Sequence, residues 1–222
     1  YSLRIKKKNL IIKNTTLVKK KNIEKYYKIK IVKTYNAAIK LKPNIVFICN
    51  HSASHLKDAM RFSKIKSNIF VEKPLIGSNK QLGLLKKIIK KNKIHSMVGY
   101  QLRFHPIIKL IKKYISRKKY GEILKVDIAC LSYLPKYHPY EDYSKSYASV
   151  KKLGGGVLNT LSHEIDIITY FFGLPKKVYT NKIRTNLLKT NIEDDVFSYL
   201  IYDSKFNFSV SLHLSFVHFF PQ

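Results

Sequence analysis

A histidine between an amide and a carboxylate is the group of residues in this sequence best suited to acid/base chemistry. His163 follows Asn159 by four positions and precedes Asp166 by three. At about 3.6 residues per turn, these spacings place the three side chains on one face of a helix. An imidazole hydrogen-bonded from both sides has a fixed tautomer, which suits a general acid or base. The alternative is a partly buried helix with incidental polar residues, and the spacing alone leaves both open.

The helix that must position His163 is predicted to follow a triple glycine, Gly154 to Gly156, and to run without a break to Phe172. Glycines allow a close approach of the backbone, and a helix N-terminus that opens onto a cleft favours a bound anion. Apolar residues recur at spacings of three and four, as in an amphipathic helix: Leu158, Leu161, Ile165, Ile168 and Phe172.

The first hundred residues alternate short apolar runs with amphipathic segments, which predicts parallel strands joined by crossover helices. The run Ile45 to Cys49 is entirely apolar, so we expect a central strand covered on both faces. Ligands bind at the carboxyl ends of such strands, and the segments that begin at Asn50, Glu72 and Tyr100 are therefore predicted to face one crevice. The predicted strands are Tyr1 to Ile5, Ile29 to Val32, Ile45 to Cys49, Ile69 to Val71 and His95 to Gly99, and the predicted helices are His55 to Ser63 and Asn79 to Lys93.

A second domain is predicted to follow, because the period changes from helical to alternating. A helix that begins near Pro106 leads to Gly121, with His105 as its start residue. Val126, Ile128 and Cys130 then alternate with other residues, as in a strand with one buried face. Predicted long strands at Phe197 to Tyr202 and Phe206 to Phe216, joined by a turn at Asp203 to Lys205, indicate an antiparallel sheet. The polar and aromatic loop Leu134 to Tyr143 suits a polyhydroxylated ligand.

The composition argues against several classes of partner. The formal net charge is +30, but only five of the 43 basic residues are arginines, the residue favoured for reading bases and phosphates. We therefore expect solvated lysine-rich helix faces and no nucleic-acid partner. Cys49 and Cys130 have no metal-ligand spacing, so no metal site is expected, and a reducing, cytoplasmic location is predicted. The apolar runs are too short for a membrane span.

Three separated motifs carry a resemblance to a known family. They are Val71-Glu72-Lys73-Pro74 after a strand, Gly99 to Pro106 (GYQLRFHP), and Gly154 to Asp166. Together they resemble the glucose-fructose oxidoreductase, inositol dehydrogenase and rhizopine-catabolism family (Gfo/Idh/MocA), over essentially the whole chain. The resemblance implies an α/β fold. A partial NAD(P)-binding Rossmann-like domain, with a doubly wound parallel sheet, would span residues 1–104. A truncated α+β domain, with a large and mainly antiparallel open sheet, would span residues 105–222.

The implied chemistry is hydride transfer between NAD or NADP and a hydroxyl-bearing carbon of a sugar, sugar nucleotide or cyclitol. A cation that stabilises negative charge on the reacting oxygen and a histidine that carries the proton are the pair such a reaction needs. The resemblance assigns these catalytic roles to Lys73 and His163. It implies substrate contacts at Lys73, Tyr147, Asn159 and His163. It implies cofactor contacts at Asn50, Ser52, His55, Glu72, Gln101 and Arg103. It also implies a homo-oligomer formed through the C-terminal sheet.

Two departures from the family pattern leave alternatives open. Asn159 stands where many members have aspartate, so the histidine has a neutral partner unless Asp166 substitutes. The Gly-x-Gly-x-x-Gly turn that holds a dinucleotide pyrophosphate is absent from the 222 residues. Either the first strand, glycine loop and helix precede Tyr1, in which case this fragment need not be active by itself, or the chain binds no dinucleotide. The rival hypothesis is a non-catalytic binding or assembly module derived from the same family.

Overall fold

The computed structural model describes residues 11–13, 30–203 and 207–219. The described residues divide into two compact units. The first contains the residues up to Asn50 together with Leu56–Val71 and Gly77–Met97. The second begins at Val98 and also includes two short segments that follow strands, His51–His55 and Glu72–Ile76. The predicted domain boundary at residue 104 stays a prediction.

The N-terminal half alternates strands and helices, which confirms the predicted α/β class. Strands β1 and β2 are parallel, as are β3 and β4, and β5 lies beside β4. None of the described helices is both long and apolar enough to cross a membrane. The predicted strand Tyr1 to Ile5 lies outside the described residues. The elements are β1 (Ile11–Lys13), β2 (Lys30–Val32), α1 (Tyr35–Lys40), β3 (Ile45–Ile48), α2 (Ser52–Lys64), β4 (Asn68–Val71), α3 (Asn79–Asn92) and β5 (Ser96–Val98).

Within the described three-stranded sheet, strand β3 does not take the central position that its apolar sequence predicted. In the described three-stranded sheet the order is β3-β4-β5, so that β4 is in the middle and β3 is at an edge. Ile45 and Phe47 are 56% and 53% exposed, whereas Ile48 is 4% exposed. An apolar run shows that a strand can be covered on both faces, but it carries no information about strand order.

Local signals set the ends of the helices. Ser78 caps α3 by accepting a hydrogen bond from the Gln81 amide, and the Gln81 side chain accepts one from the Ser78 amide in return. This reciprocal capping box satisfies two amides at the helix start. His105 accepts a hydrogen bond from Ile107 N at the start of α4 (Pro106–Ser116), which confirms its predicted role as a helix-start residue.

The second unit is built on a four-stranded sheet in the order β6-β9-β8-β7. The β6 and β9 pair is parallel, and the other two pairs are antiparallel, which confirms the predicted mainly antiparallel sheet. Strand β7 was not predicted, because six of its seven residues are exposed and show no alternation. The elements after α4 are β6 (Lys125–Leu131), α5 (Val157–Thr160), α6 (Ser162–Phe172), β7 (Lys177–Ile183), β8 (Asp195–Tyr202) and β9 (Phe208–Ser215).

One face of this sheet forms the core of the second unit. Alternate residues of β8 and β9 are buried, and the helices α5 and α6 contribute Val157, Leu161 and Ile168 to the same apolar cluster. Burying one such side chain contributes roughly 1.5–3 kcal/mol, and truncating a central one, for example Leu214→Ala, should cost about 2–5 kcal/mol. The strand residues in this cluster are Val196, Leu200, Tyr202, Val210, Leu212 and Leu214.

Candidate active site

The triple glycine forms a tight loop against the segment that follows β3. Gly154 has φ +87°, and a Cβ there would lie 2.8 Å from the backbone nitrogen of Ala53. Gly156 has φ +119°, and its Cβ would lie 2.3 Å from Glu193 Oε1. A side chain at either position would therefore meet both a steric clash and a strained backbone. The predicted close approach of the backbone at the glycines is confirmed.

Asn159 holds this glycine loop in place. Its Nδ2 donates to the carbonyl oxygens of Gly154 and Gly155 at 3.1 and 3.3 Å. A carboxylate cannot donate these hydrogen bonds, which gives the amide at this position a structural reason. The Asn159 side chain thus donates to the glycine loop that precedes the helix. The predicted hydrogen bond between Asn159 and His163 does not form.

The predicted unbroken helix is in fact two helices, because Leu161 has the non-helical angles φ −95° and ψ 39° between α5 and α6. A break in a helix leaves carbonyl oxygens without their usual partners. Lys73 Nζ donates to one of them, Thr160 O, at 2.5 Å. The break therefore provides the acceptor that fixes the predicted catalytic lysine against the glycine helix.

The buried side chain of His55 holds the turn that carries Lys73. His55 is buried, and its Nδ1 donates to the carbonyl oxygen of Pro74 at 2.9 Å. The Lys73 amide donates to its neighbour Glu72 Oε2 at 3.3 Å, and the Lys73–Pro74 peptide bond is cis. Burial lowers the pKa of Lys73, and the nearby carboxylates of Glu164 and Glu72 oppose that shift. The ammonium is thus half-buried and lies among carboxylates.

His163 lies on the first turn of α6 and faces the same cluster. Burial lowers the pKa of His163, and the Lys73 ammonium lowers it further. The imidazole is therefore neutral at neutral pH, which is the form that accepts a proton. Its ring makes an edge contact with Tyr100, with centroids 5.8 Å apart. Among the residues that the structure describes, His163 Nδ1 is buried and has no hydrogen-bond partner.

Asp166 does not serve as the partner of His163 that its spacing suggested. It accepts two hydrogen bonds from Arg103, at 2.8 Å from Nε and 2.6 Å from Nη2. The Asp166 side chain is 7% exposed and the Arg103 side chain 41%. The guanidinium also lies over the Tyr170 ring, with 5.3 Å between Cζ and the ring centroid. Two parallel charge-assisted bonds make this pair a fixed link between α6 and the 3-10 helix Gln101–Phe104.

Sequence reasoning missed Glu164, although it is the residue directly after His163. Burial and then the Glu164 carboxylate raise the pKa of the Cys130 thiol to about 12, which keeps that thiol protonated. Within the described part of the chain, Glu164 Oε2 is buried without a hydrogen-bond partner. The signal that could have found Glu164 is its charge: a carboxylate on a partly buried helix needs a cation or a donor nearby.

The structure brings together the predicted residues Glu72, Lys73, Tyr147 and His163 in the second unit. Burial raises the pKa of Tyr147, and the carboxylates of Glu141 and Glu72 add to that shift. The other predicted cofactor residues lie in different surroundings. Asn50 donates to the buried Asp58 at 2.7 Å in the first unit, Ser52 packs against Gly154, and Gln101 is exposed. Direct cofactor contacts of Asn50, Ser52, His55, Glu72, Gln101 and Arg103 stay a prediction.

Comparison with known proteins agrees with these features. A model of the GFO/IDH/MocA C-terminal domain matches residues 108–221, more than half of the chain. The chain belongs to the GFO/IDH/MocA family. The resemblance carried by the three sequence motifs is thereby confirmed. The α6 helix with His163 and Glu164, the sheet, and the glycine loop all lie inside the matched residues.

Curated relatives of this chain are named as oxidoreductases or dehydrogenases. Oxidoreductase P35 of Formosa agariphila is 21% identical over 145 residues, which are 64% of this chain and 45% of that protein. The inositol 2-dehydrogenase of Rhizobium meliloti is 27% identical over 128 residues, 58% of this chain and 36% of that protein. The chain therefore spans less than half the length of these family members.

Solved structures share the fold. The WlbA dehydrogenase of Bordetella pertussis, in complex with NADH and UDP-GlcNAcA, superposes with a TM-score of 0.77 at 17% identity. The superposition covers 88% of this chain and 56% of the WlbA chain. A levoglucosan dehydrogenase, in complex with NADH and L-sorbose, gives a TM-score of 0.74 at 18% identity over 88% of this chain and 55% of its own. At these identities the likeness establishes the fold, a Rossmann-like unit followed by an α+β unit.

Proposed function

We propose that the protein is an NAD(P)-dependent oxidoreductase that transfers a hydride to or from a hydroxyl-bearing carbon of a sugar, sugar nucleotide or cyclitol. One observation carries the proposal. A half-buried lysine ammonium and a neutral, half-buried histidine face the same cluster, and burial lowers the pKa of both. Groups with such shifted pKa values in one place are typical of acid/base sites.

Each residue of the pair has a distinct task in alcohol oxidation. The neutral imidazole of His163 accepts the hydroxyl proton as the carbon gives up its hydride. The Lys73 ammonium, held by Thr160 O, donates a hydrogen bond to the same oxygen and stabilises the negative charge that develops on it. In the reverse direction, protonated His163 returns the proton to the oxygen. Bound NAD(P) supplies the hydride acceptor or donor.

We propose further that residues of this chain contact one end of a dinucleotide. Ile48 and Val71 are paired at the ends of the parallel strands β3 and β4. Asn50 and Glu72 follow those ends, and their side chains suit a ribose hydroxyl or a carboxamide. We propose the six predicted residues from Asn50 to Arg103 as the nicotinamide side, with His55 and Arg103 acting through the groups that they position.

The substrate class is supported by relatives and by the loop near Lys73. Structures of the same fold contain UDP-GlcNAcA or L-sorbose, and one relative is an inositol dehydrogenase. In this chain, the segment before the glycine loop brings Tyr137 and Tyr147 close to Glu72 and Glu164. Tyrosine hydroxyls and carboxylates are suitable partners for a polyhydroxylated ligand. A cytoplasmic location, predicted from cysteine usage, belongs to the same proposal.

The test uses the full-length protein and two measurements. NADH and NADPH are titrated by fluorescence, and a panel of sugars, sugar nucleotides and cyclitols is then assayed for reduction of NAD(P). We expect saturable binding of one cofactor and turnover of at least one polyol. Lys73→Met and His163→Gln should still bind the cofactor while losing turnover. Absence of saturable binding would reject the oxidoreductase and favour the non-catalytic binding module.

We also propose that the open face of the four-stranded sheet joins two copies of the chain. This face carries large exposed side chains, among them Tyr179 at 58%, Phe197 at 47% and Tyr199 at 46%. A groove of about 860 Å³ runs across it. Phe197 stacks on His213 of the neighbouring strand, with ring centroids 3.8 Å apart. Large exposed apolar patches commonly mark interfaces with another protein.

Sedimentation of the full-length protein tests the oligomer. The wild type should sediment as a dimer or larger assembly at micromolar concentration. Tyr199→Glu should sediment as a monomer with an unchanged circular dichroism spectrum, because a charge at the centre of an apolar interface is not solvated there. Lys86→Glu, at an exposed position of α3, serves as a control for added negative charge. A monomeric wild type would exclude the interface.

A further inference from the structure

The site contains a lysine and a histidine that need a carboxylate, and the two polar residues that helical spacing suggested for this task, Asn159 and Asp166, are already engaged. Asn159 is neutral and donates to the carbonyl oxygens of Gly154 and Gly155. Asp166 accepts both of its hydrogen bonds from Arg103. Among the described residues, neither accepts a hydrogen bond from Lys73 or His163, and Asp166 raises the pKa of His163 less than Glu164 does.

Glu164 is placed to act on Lys73 and His163, which Asn159 and Asp166 do not contact through a hydrogen bond. Its Oε2 is buried and, among the described residues, has no hydrogen-bond partner, so this oxygen is open to a donor. Glu164 precedes Asp166 by two residues on α6, which turns its side chain to a different side of the helix. It also interacts with the Cys130 thiol on β6, so the carboxylate lies between the helix and the sheet.

The electrostatics agree with this placement. Burial lowers the pKa of Lys73, and Glu164 is the first of the groups that raise it. Burial and Lys73 lower the pKa of His163, and Glu164 is again the first of the groups that raise it, ahead of Asp166 and Glu72. One carboxylate thus acts on both members of the pair. The titratable groups that face this cluster are Glu72, Lys73, Tyr100, Cys130, Tyr137, Tyr147, His163 and Asp166.

We propose that Glu164 is the positioning residue that supplies the negative charge for both Lys73 and His163 in this protein. It keeps the lysine ammonium protonated next to the reacting oxygen and keeps the imidazole basic enough to accept a proton. The catalytic part of this inference rests on the proposed oxidoreductase function. The electrostatic part does not, because it concerns groups of the chain itself.

The first experiment reads His163 directly, without turnover. The full-length protein is labelled with ¹³C-histidine, and the His163 ring signal, identified by its loss in His163→Gln, is followed by NMR as a function of pH. Glu164→Gln keeps the shape of the side chain and removes its charge. We expect the titration midpoint of His163 to move to lower pH, because the imidazolium loses the negative charge that raises its pKa most. Glu122→Gln, at an exposed site, should leave the midpoint unchanged.

The second experiment distinguishes charge from packing by the pH dependence of kcat/KM. In Glu164→Gln both limbs of the profile should move to lower pH, since both His163 and Lys73 lose a stabilising charge, and the maximum should fall roughly tenfold. A purely structural defect would lower the maximum and leave the limbs where they are. Glu164→Asp retains the charge at a greater distance, so its midpoint and profile should lie between those of the wild type and Glu164→Gln.

The outcomes separate the two proposals. An unchanged His163 midpoint in both Glu164 variants, or an equal shift in Asp166→Asn, would overturn the role of Glu164 and leave the oxidoreductase proposal intact. A shifted midpoint in a protein that binds no NAD(P)H and turns over no polyol would retain the role of Glu164 and reject the oxidoreductase. If Glu164→Gln loses its folded NMR spectrum, Glu164→Asp decides, with a wild-type midpoint counting against the proposal.

Discussion

Helix α6 uses its two carboxylates in opposite ways. Asp166 is bound by the forked Arg103 guanidinium, so its charge is balanced locally and the contact fixes the position of the helix. Glu164 has a buried oxygen without a partner among the described residues and acts electrostatically on Lys73 and His163. A saturated ion pair stabilises a fold, whereas an incompletely satisfied polar cluster has hydrogen-bonding capacity left for a ligand. We call the Arg103–Asp166 pair the anchor, and Glu164, Lys73 and His163 the cluster; the two are expected to respond differently to substitution.

The largest expected effect is on turnover, at Lys73. In the full-length protein Lys73→Met should lower kcat by at least about a hundredfold, because it removes the cation that stabilises the reacting oxygen. The free energy of unfolding should also fall, by roughly 1–3 kcal/mol, because Thr160 O loses its donor and the Glu164 carboxylate loses a nearby cation. Steady-state kinetics and urea denaturation measure the two effects. Retained turnover would place Lys73 with the anchor and not with the cluster.

Arg103→Met should act mainly on stability. It leaves the buried Asp166 carboxylate without its cation, a change that costs about 3–5 kcal/mol in a fully buried pair. Because the Arg103 side chain is 41% exposed, we expect a loss of about 2 kcal/mol. Urea denaturation measures the loss, and Arg117→Met, an exposed arginine after α4, should stay within about 0.5 kcal/mol of the wild type. Equal stabilities of the two variants would contradict the anchor.

Asn159→Asp separates a structural from a catalytic role at that position. The carboxylate would face the carbonyl oxygens of Gly154 and Gly155 and could donate to neither. We expect a loss of about 1–2 kcal/mol, larger than that of Asn159→Ala, which removes the hydrogen bonds without adding repulsion. Thermal or urea denaturation ranks the three proteins. A gain in kcat in Asn159→Asp at unchanged stability would show that residue 159 serves His163 after all.

The smallest expected effect is on the pH dependence of stability. The pKa of His163 is lowered in the folded state by burial and by Lys73, so the unfolded chain binds more protons. Stability therefore falls as pH decreases through the unfolded value of about 6.5 and levels off below the folded pKa. His163→Gln should show a shallower decline over that range in urea denaturation at several pH values. If the free energy of unfolding falls equally steeply in the wild type and in His163→Gln, the cluster does not lower the pKa of His163.

Much of the fold could be predicted because it depends on local patterns. The alternation of Val126, Ile128 and Cys130 gave the buried face of β6, and those residues do pack against the core of the second unit. Strand β7 could not be predicted in this way, since its residues are exposed and it is held by backbone pairing with β8. For the same reason the apolar run of β3 did not disclose that it lies at an edge of the described sheet.

For the site, the sequence by itself determined the residue types and their family pattern: Glu72-Lys73-Pro74, the triple glycine, and His163. Spacing along a helix then suggested Asn159 and Asp166 as partners of the histidine. The tertiary structure decided otherwise, because Leu161 breaks the helix, the glycine carbonyls engage Asn159, and Arg103 engages Asp166. Which carboxylate acts on Lys73 and His163 depends on the direction of each side chain and on the charges that distant segments bring beside it. Both are set by tertiary structure. Helical spacing therefore suggested Asp166, whereas the arrangement of the folded chain favours Glu164.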